Sequence, residues 1–157
     1  MKMDVKLVPC YTDRELYLRL VKEYIETLRE HDSSIIWDEV SAGHMIWDAQ
    51  FIMEDRTIQG FVISEEIKFA LYSDIKYISE FYVVPDARRR GIGKEAVREL
   101  LRDWDGDVFL YVLHGNFEAS AFWMDIEQEF GWKRIKRPEI REERGCELRV
   151  FQTRIDS

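Results

Sequence analysis

The stretch from Tyr77 to Trp104, YISEFYVVPDARRRGIGKEAVRELLRDW, limits the folds open to this chain more than any other. It reads as an apolar strand, a turn with three consecutive arginines, two closely spaced glycines, and a helix. From Gly91 onward, Ile92, Ala96, Val97, Leu100, Leu101 and Trp104 fall on one helical face. A strand that feeds a glycine turn onto a helix N-terminus gathers unpaired backbone N–H groups at the positive end of the helix dipole. Such a place suits a phosphate or pyrophosphate.

Downstream residues extend the pattern. Residues 108–113, VFLYVL, form a continuous apolar run, as a strand covered on both faces does. With the 77–84 strand and the intervening helix it makes a βαβ unit, so the two strands are expected to be parallel with a right-handed crossover. Asn116 is placed to cap a further helix carrying Ala119, Phe122, Ile126 and Phe130, and Gly131 to stop it. Two strands, 132–136 and 147–155, close the chain.

Upstream, Val5–Val8 is a short strand ended by Pro9. Thr12 or Asp13 caps a helix with Leu16, Leu20, Tyr24 and Leu28 every four residues. A short helix is expected from Asp38 to about Trp47, weakened by Gly43. Strands at 51–53 and 57–64 form a hairpin, and 65–74 has no clear pattern. The order β α α β β β α β α β β describes one domain over residues 1–157. Its class is α/β (α+β), with helices between the strands of a mixed sheet and βαβ character only in the middle.

Composition narrows the function. A net charge of −8 argues against a nucleic-acid partner. No apolar run reaches the roughly 18–20 residues of a membrane span, and the first residues show no signal-peptide apolar region. Two cysteines, Cys10 and Cys146, do not make a secreted disulfide framework, so reduced thiols in the cytoplasm are expected. His31, His44 and His114 are too scattered for a metal site.

The glycine turn admits two cofactors. Gly91-Ile92-Gly93-Lys94-Glu95-Ala96 matches G-x-G-x-x-G/A, the dinucleotide fingerprint. Its context opposes that reading. Gly91 comes six positions after Pro85, and the next strand ends Leu113-His114-Gly115 with no acidic residue. The arginines favour the other reading, R-x-x-G-x-G, in which successive backbone N–H groups and nearby cations hold a pyrophosphate.

Phe81-Tyr82-Val83-Val84-Pro85 followed by Arg88-Arg89-Arg90-Gly91-Ile92-Gly93-Lys94 resembles motif A of the GNAT superfamily of N-acetyltransferases. Asn116, Ala119, Phe122 and Trp123, then Gly131-Trp132, resemble the family's second motif, and the order of elements is similar throughout. The resemblance implies a mixed, mostly antiparallel sheet with a central parallel βαβ pair and flanking helices. It implies acetyl-CoA as cosubstrate, its pantetheine arm along Phe81, Tyr82 and Val83. The pyrophosphate would rest on the turn and helix start from Arg88 through Arg89, Arg90, Gly91, Ile92, Gly93 and Lys94, with Asn116 and Trp123 completing the cofactor site. The acceptor would be an amine of a small molecule or peptide, attacking directly in a ternary complex. A homodimer is compatible with the family. A non-catalytic acyl-CoA-binding module is the alternative.

Acetyl transfer to an amine needs a proton acceptor, a donor for the developing thioester oxyanion, and a proton for the departing thiolate. Glu80, the one acidic residue inside the apolar strand, is the candidate base. By resemblance the Val83 N–H is the oxyanion donor. The thiolate's acid is where the chain departs from the family: the usual tyrosine position is Trp123, whose indole N–H is no useful proton source. Tyr111 or Tyr82 on the neighbouring strands, or water, would supply the proton. The acceptor region offers Trp37, Asp38, Glu39, His44, Trp47 and Asp48, aromatics and carboxylates suited to a cationic amine.

Overall fold

A computed structural model describes residues 3–35, 37–68 and 74–153. The elements are β1 (Val5–Pro9), α1 (Arg14–His31), α2 (Glu39–His44), β2 (Ala49–Glu54), β3 (Thr57–Ile67), β4 (Ile75–Val83), α3 (Ile92–Leu101), β5 (Asp107–Leu113), α4 (Phe117–Glu129), β6 (Lys133–Arg134) and β7 (Cys146–Gln152). The strands form one seven-stranded sheet in the order β1-β2-β3-β4-β5-β7-β6. The parallel pair foreseen from the βαβ pattern is β4–β5, with Ile75 opposite Asp107, Lys76 opposite Val108 and Tyr77 opposite Phe109. The β1–β2, β2–β3, β5–β7 and β6–β7 pairs are antiparallel. Positions 154 and 155 of the expected last strand lie outside the described residues.

The chain divides into two compact units, Met1–Ser64 with Glu80–Trp104, and Glu65–Ser79 with Asp105–Ser157. In the first, α1 starts where Asp13 accepts a hydrogen bond from the Leu16 N–H (3.1 Å). Its apolar stripe buries Tyr17, Leu20, Val21 and Ile25 with Phe51, Phe61, Ile63 and Tyr82. The Tyr17 hydroxyl donates to the Ala42 carbonyl (2.7 Å) and so ties α1 to α2. Asp38 caps α2 through the Ser41 N–H (2.8 Å). That helix ends at His44, sooner than the sequence suggested. Ile46–Asp48 turn instead as a 3₁₀ segment after Gly43, a poor residue for a helix interior.

A second cluster of the same unit packs Ile92 and Ala96 of α3 against Val5 of β1 and Ile52 of β2, with Phe81 and Val83 beside them. Alternation along β4 therefore sends Phe81 and Val83 into the cluster around α3 and Tyr82 into the cluster around α1. Glu80, two residues before Tyr82, belongs on the α1 face.

In the other unit, Ile75, Phe109, Ile140 and Val150 form the core, and the Tyr77 and Phe109 rings stack at 4.5 Å. Asn116 caps α4 through the Ala119 N–H (3.1 Å). Buried Arg149 on β7 donates to the Ser120 hydroxyl (2.6 Å) and carbonyl (3.2 Å) and to Glu147 (2.6 Å), fixing α4 to β7.

Candidate active site

The turn between β4 and α3 has unusual backbone geometry. Arg89 has φ +66° and Gly91 φ +82°, both left-handed, with Arg90 between them. Gly91 directly precedes Ile92, the first right-handed residue of α3, and such a left-handed/right-handed pair turns successive N–H groups toward a common point, which makes an anion nest. Gly91 is the N-cap residue of α3 and supplies no side-chain hydrogen bond. Among the described residues, α1, α2 and α4 each have a side chain closing their first turn, contributed by Asp13, Asp38 and Asn116. At α3 the N-cap residue has no side chain to do this, as a helix end open to a ligand would require. A Cβ built on Gly91 meets nothing within 4 Å, so glycine is needed there for its φ and for a bare approach to the backbone, and not to avoid a neighbour.

Contacts behind the turn hold it in place. The β2–β3 pairing shifts between Ile52 and Met53, which leaves Gln59 as the extra residue of a bulge. The Gln59 carbonyl accepts from the Val84 N–H (2.8 Å), and its side-chain amide donates to Glu54 (3.3 Å). Glu54 in turn holds the Arg90 guanidinium with two hydrogen bonds, 2.9 and 3.3 Å. Beside the bulge, a Cβ on Gly60 would lie 1.9 Å from the Tyr82 carbonyl oxygen. Tyr82 O and Val84 N–H thus both face β3, and alternation turns the Val83 N–H and carbonyl to the other edge of the strand. The Arg88 Nε–H donates to that Val83 carbonyl (2.8 Å), and its guanidinium lies 5.7 Å from the Tyr82 ring centre.

On the α1 face, the Tyr24 hydroxyl donates to Glu80 Oε2. The Tyr24 ring meets three others, Trp37 edge-on at 6.1 Å, Phe61 edge-on at 5.5 Å and Tyr82 tilted at 5.5 Å. The Tyr82 hydroxyl donates to Glu23 Oε2 at 3.3 Å. Burial, then the charge of Glu23, raises the Tyr82 pKa above its ordinary value of 10.0, with Arg88 opposing, so this phenol keeps its proton at neutral pH. A carboxylate that accepts from the phenol of a ring packed among other aromatics can accept a proton from a bound amine.

A family model for the GNAT acetyltransferases matches residues 11–126. The chain belongs to the GNAT acetyltransferase family. Comparison with curated protein sequences found no match. Solved structures share the fold. Diaminobutyrate acetyltransferase EctA from Paenibacillus lautus, in complex with L-2,4-diaminobutyric acid and coenzyme A, superposes with a TM-score of 0.68 at 10% identity over 99% of this chain and 98% of that one. An acetyltransferase from Thermus thermophilus gives 0.65 at 14% identity over 94% of each. Arabidopsis thaliana Naa50, in complex with a bisubstrate analogue, gives 0.55 at 16% identity over 96% and 97%.

Seen as a GNAT domain, the chain distributes its foreseen residues unevenly. Glu80, Phe81, Tyr82, Val83, Arg88, Arg89, Arg90, Gly91, Ile92, Gly93 and Lys94 share one unit. Within it Arg88 is committed to Val83 and Arg90 to Glu54, which leaves Arg89 exposed at the left-handed position. Tyr111, Asn116 and Trp123 belong to the other unit. There the Tyr111 hydroxyl donates to the Arg141 carbonyl (2.5 Å), Asn116 caps α4, and Trp123 is buried edge-on to Phe122 at 4.9 Å. Sequence reading missed Tyr24, Gly60, Gln59 and Glu54. Tyr24 sat in a stripe that reads as core, and the signal in Gly60, a glycine inside a strand, was there to be used.

Proposed function

We propose that this GNAT protein transfers the acetyl group of acetyl-CoA to a primary amine of a small molecule or peptide, by direct attack in a ternary complex. The observation that supports this most is the start of α3. Gly91, an N-cap residue with no side chain to offer and a left-handed backbone, opens α3 after the left-handed Arg89, whereas the other three described α-helices are capped by side chains. The pyrophosphate of acetyl-CoA fits that arrangement, held by backbone N–H groups from Arg89 to Lys94 with the exposed Arg89 side chain beside it. Arg88 and Arg90 act by fixing the strand end and the turn. Acetyl-CoA supplies an activated acyl group and a thiol leaving group.

The chain's own residues would divide the work among them. Glu80, oriented by Tyr24, takes the proton of the incoming ammonium. The Val83 N–H, turned away from β3, donates to the developing oxyanion. Tyr82, protonated at neutral pH, Tyr111 or solvent returns a proton to the thiolate. Asn116 and Trp123 are assigned to the cofactor by resemblance. The two cysteines are unbridged, which suits a reducing, cytoplasmic setting.

The test is a thermal melt with and without acetyl-CoA. At 100 times Kd a ligand adds about 2.7 kcal/mol to stability, which is several degrees in Tm. Wild-type protein is expected to show the shift. Gly91→Val is expected to lose it, because a β-branched residue resists φ +82° and covers the approach to the backbone. No shift in the wild type at millimolar acetyl-CoA or CoA would refute the reading.

A further inference from the structure

Glu54 is the last residue of β2, at the tip of the β2–β3 hairpin, and it is held from several sides. The Gln59 side-chain amide donates to its Oε1 (3.3 Å). The next residue, Asp55, donates its N–H to the Asp4 carbonyl (2.8 Å) and ties the hairpin tip to the chain before β1. Arg90 Nη2 donates to Oε1 (2.9 Å) and Nη1 to Oε2 (3.3 Å). The Glu54 side chain is 16% exposed and that of Arg90 49%. The carboxylate is thus the fixed member of the pair, and the more exposed guanidinium is the one that is held.

The turn it holds does not support itself. Arg89 has φ +66°, a conformation that a residue with a Cβ disfavours. Such a residue stays there when its surroundings over-determine it. Backbone hydrogen bonds bracket the turn without entering it. The Arg88 N–H donates to the Pro85 carbonyl (3.2 Å), and the Gly91 carbonyl accepts from the Glu95 N–H (3.1 Å). Between these, among the described residues, the two-point bond of Arg90 to Glu54 is the hydrogen-bonded hold on the turn. A bare carboxylate behind an anion nest would repel the anion. With the guanidinium across it the charge is offset and the restraint remains.

We propose that Glu54 is a positioning residue for the cofactor: by clamping Arg90 it holds the N–H groups of the turn in the arrangement that receives the pyrophosphate. The proposal rests on the acetyl-CoA reading of that turn. Arg90, with both terminal nitrogens on Glu54, acts through its backbone and not as a phosphate ligand. An unclamped turn has to be ordered when the ligand arrives, and that ordering weakens binding. Gln59 extends the restraint. Its side-chain amide is on Glu54, and its carbonyl accepts the Val84 N–H (2.8 Å). One bulge residue thereby references both the turn and the end of β4 that carries the Val83 N–H.

A double-mutant cycle, read by calorimetric titration of the full chain with coenzyme A, tests this. Glu54→Ala and Arg90→Ala are each expected to raise Kd about fivefold, the upper end for an ion pair with one half-exposed partner. The double variant is expected to match the single ones, because either substitution already opens the clamp. Arg90→Lys keeps a cation but not the fork, and its Kd is expected to lie between those of the wild type and Arg90→Ala. Melting temperatures of the free variants are expected to fall by no more than about 4 °C. If Arg90→Ala weakens binding as much in the Glu54→Ala background as in the wild type, Arg90 is itself a phosphate ligand and the proposal is wrong. A Glu54→Ala protein that binds coenzyme A like the wild type or tighter would also overturn it. A larger loss of melting temperature with unchanged Kd would make the pair structural only. A wild type that binds no coenzyme A would instead overturn the acetyl-CoA reading, and this proposal with it.

Discussion

Tyr24 and Glu80 are 56 positions apart in the chain and meet through one hydrogen bond. Glu80 stood out in the sequence because an acidic residue inside an apolar strand needs a reason. Its partner did not, because Tyr24 occupies a four-residue stripe with Leu16, Leu20 and Leu28 whose period is equally that of a core face. Two substitutions separate their parts. Glu80→Gln removes the proton acceptor and is expected to lower kcat by about 10²–10⁴-fold while the acetyl-CoA melting shift is retained. Tyr24→Phe keeps the ring against Trp37, Phe61 and Tyr82 and removes only the donor. Its kcat is expected to fall about tenfold with the KM for acetyl-CoA unchanged, since hydrogen bonds to charged groups contribute about 1.5–3 kcal/mol. Steady-state kinetics over a range of acetyl-CoA concentrations gives both numbers. A Tyr24→Phe enzyme with wild-type kcat would remove the tyrosine from the mechanism.

Among the elements, the strand–turn–helix of β4 and α3 was legible, because its signals are local: an apolar run, arginines, and glycines before an amphipathic stretch. The cap at Asn116 was legible for the same reason, and Asp13 as one of two candidates with Thr12; Asp38 was read as the start of its helix, not as its cap. The support of the turn was not legible, because it is built from the β2–β3 hairpin. No local rule links Glu54 to Arg90 or the Gln59 carbonyl to Val84. The three arginines look alike in sequence, yet one braces a strand end, one is clamped by a carboxylate and one is exposed. Gly60 is the hairpin's sharpest requirement. A methyl group there would sit 1.9 Å from a backbone oxygen, and backbone cannot swing aside as a side-chain tip can. Gly60→Ala is therefore expected to destabilise the protein by about 3 kcal/mol or more, at or beyond the upper end of ordinary overpacking. Urea unfolding would read this as a lower midpoint at unchanged slope. An alanine variant as stable as the wild type would mean that β3 and β4 can separate at no cost.

For the molecule as a whole, no described helix is long and apolar enough to cross a membrane. The core also sets an alkaline limit to stability. Cys10 and Tyr17 are both fully buried in the cluster around α1. Burial pushes the Cys10 thiol up from its ordinary 9.0. For Tyr17, burial and then the charges of Cys10 and Glu80 push the phenol up from 10.0, with Arg14 opposing. Folded-state values raised above the unfolded ones mean that the fold favours the protonated forms. The full stability is present below about pH 9 and is lost as pH rises past 9 for the thiol and past 10 for the phenol. Melting temperatures between pH 8 and pH 10.5 should decline in the wild type, and the early part of that decline should be missing in Cys10→Ala. The same slope in both would assign it elsewhere. The bare α-carbon of Gly60 bears on this scale too. Side chains alternate along a strand, so a slip of one residue reverses every face. Gln59 and Phe61 flank Gly60, and neither could take its place against the Tyr82 carbonyl. One absent methyl group thus acts as a registration mark between β3 and β4. By forbidding the slipped pairing it settles that Glu80 is presented to α1 and not to α3.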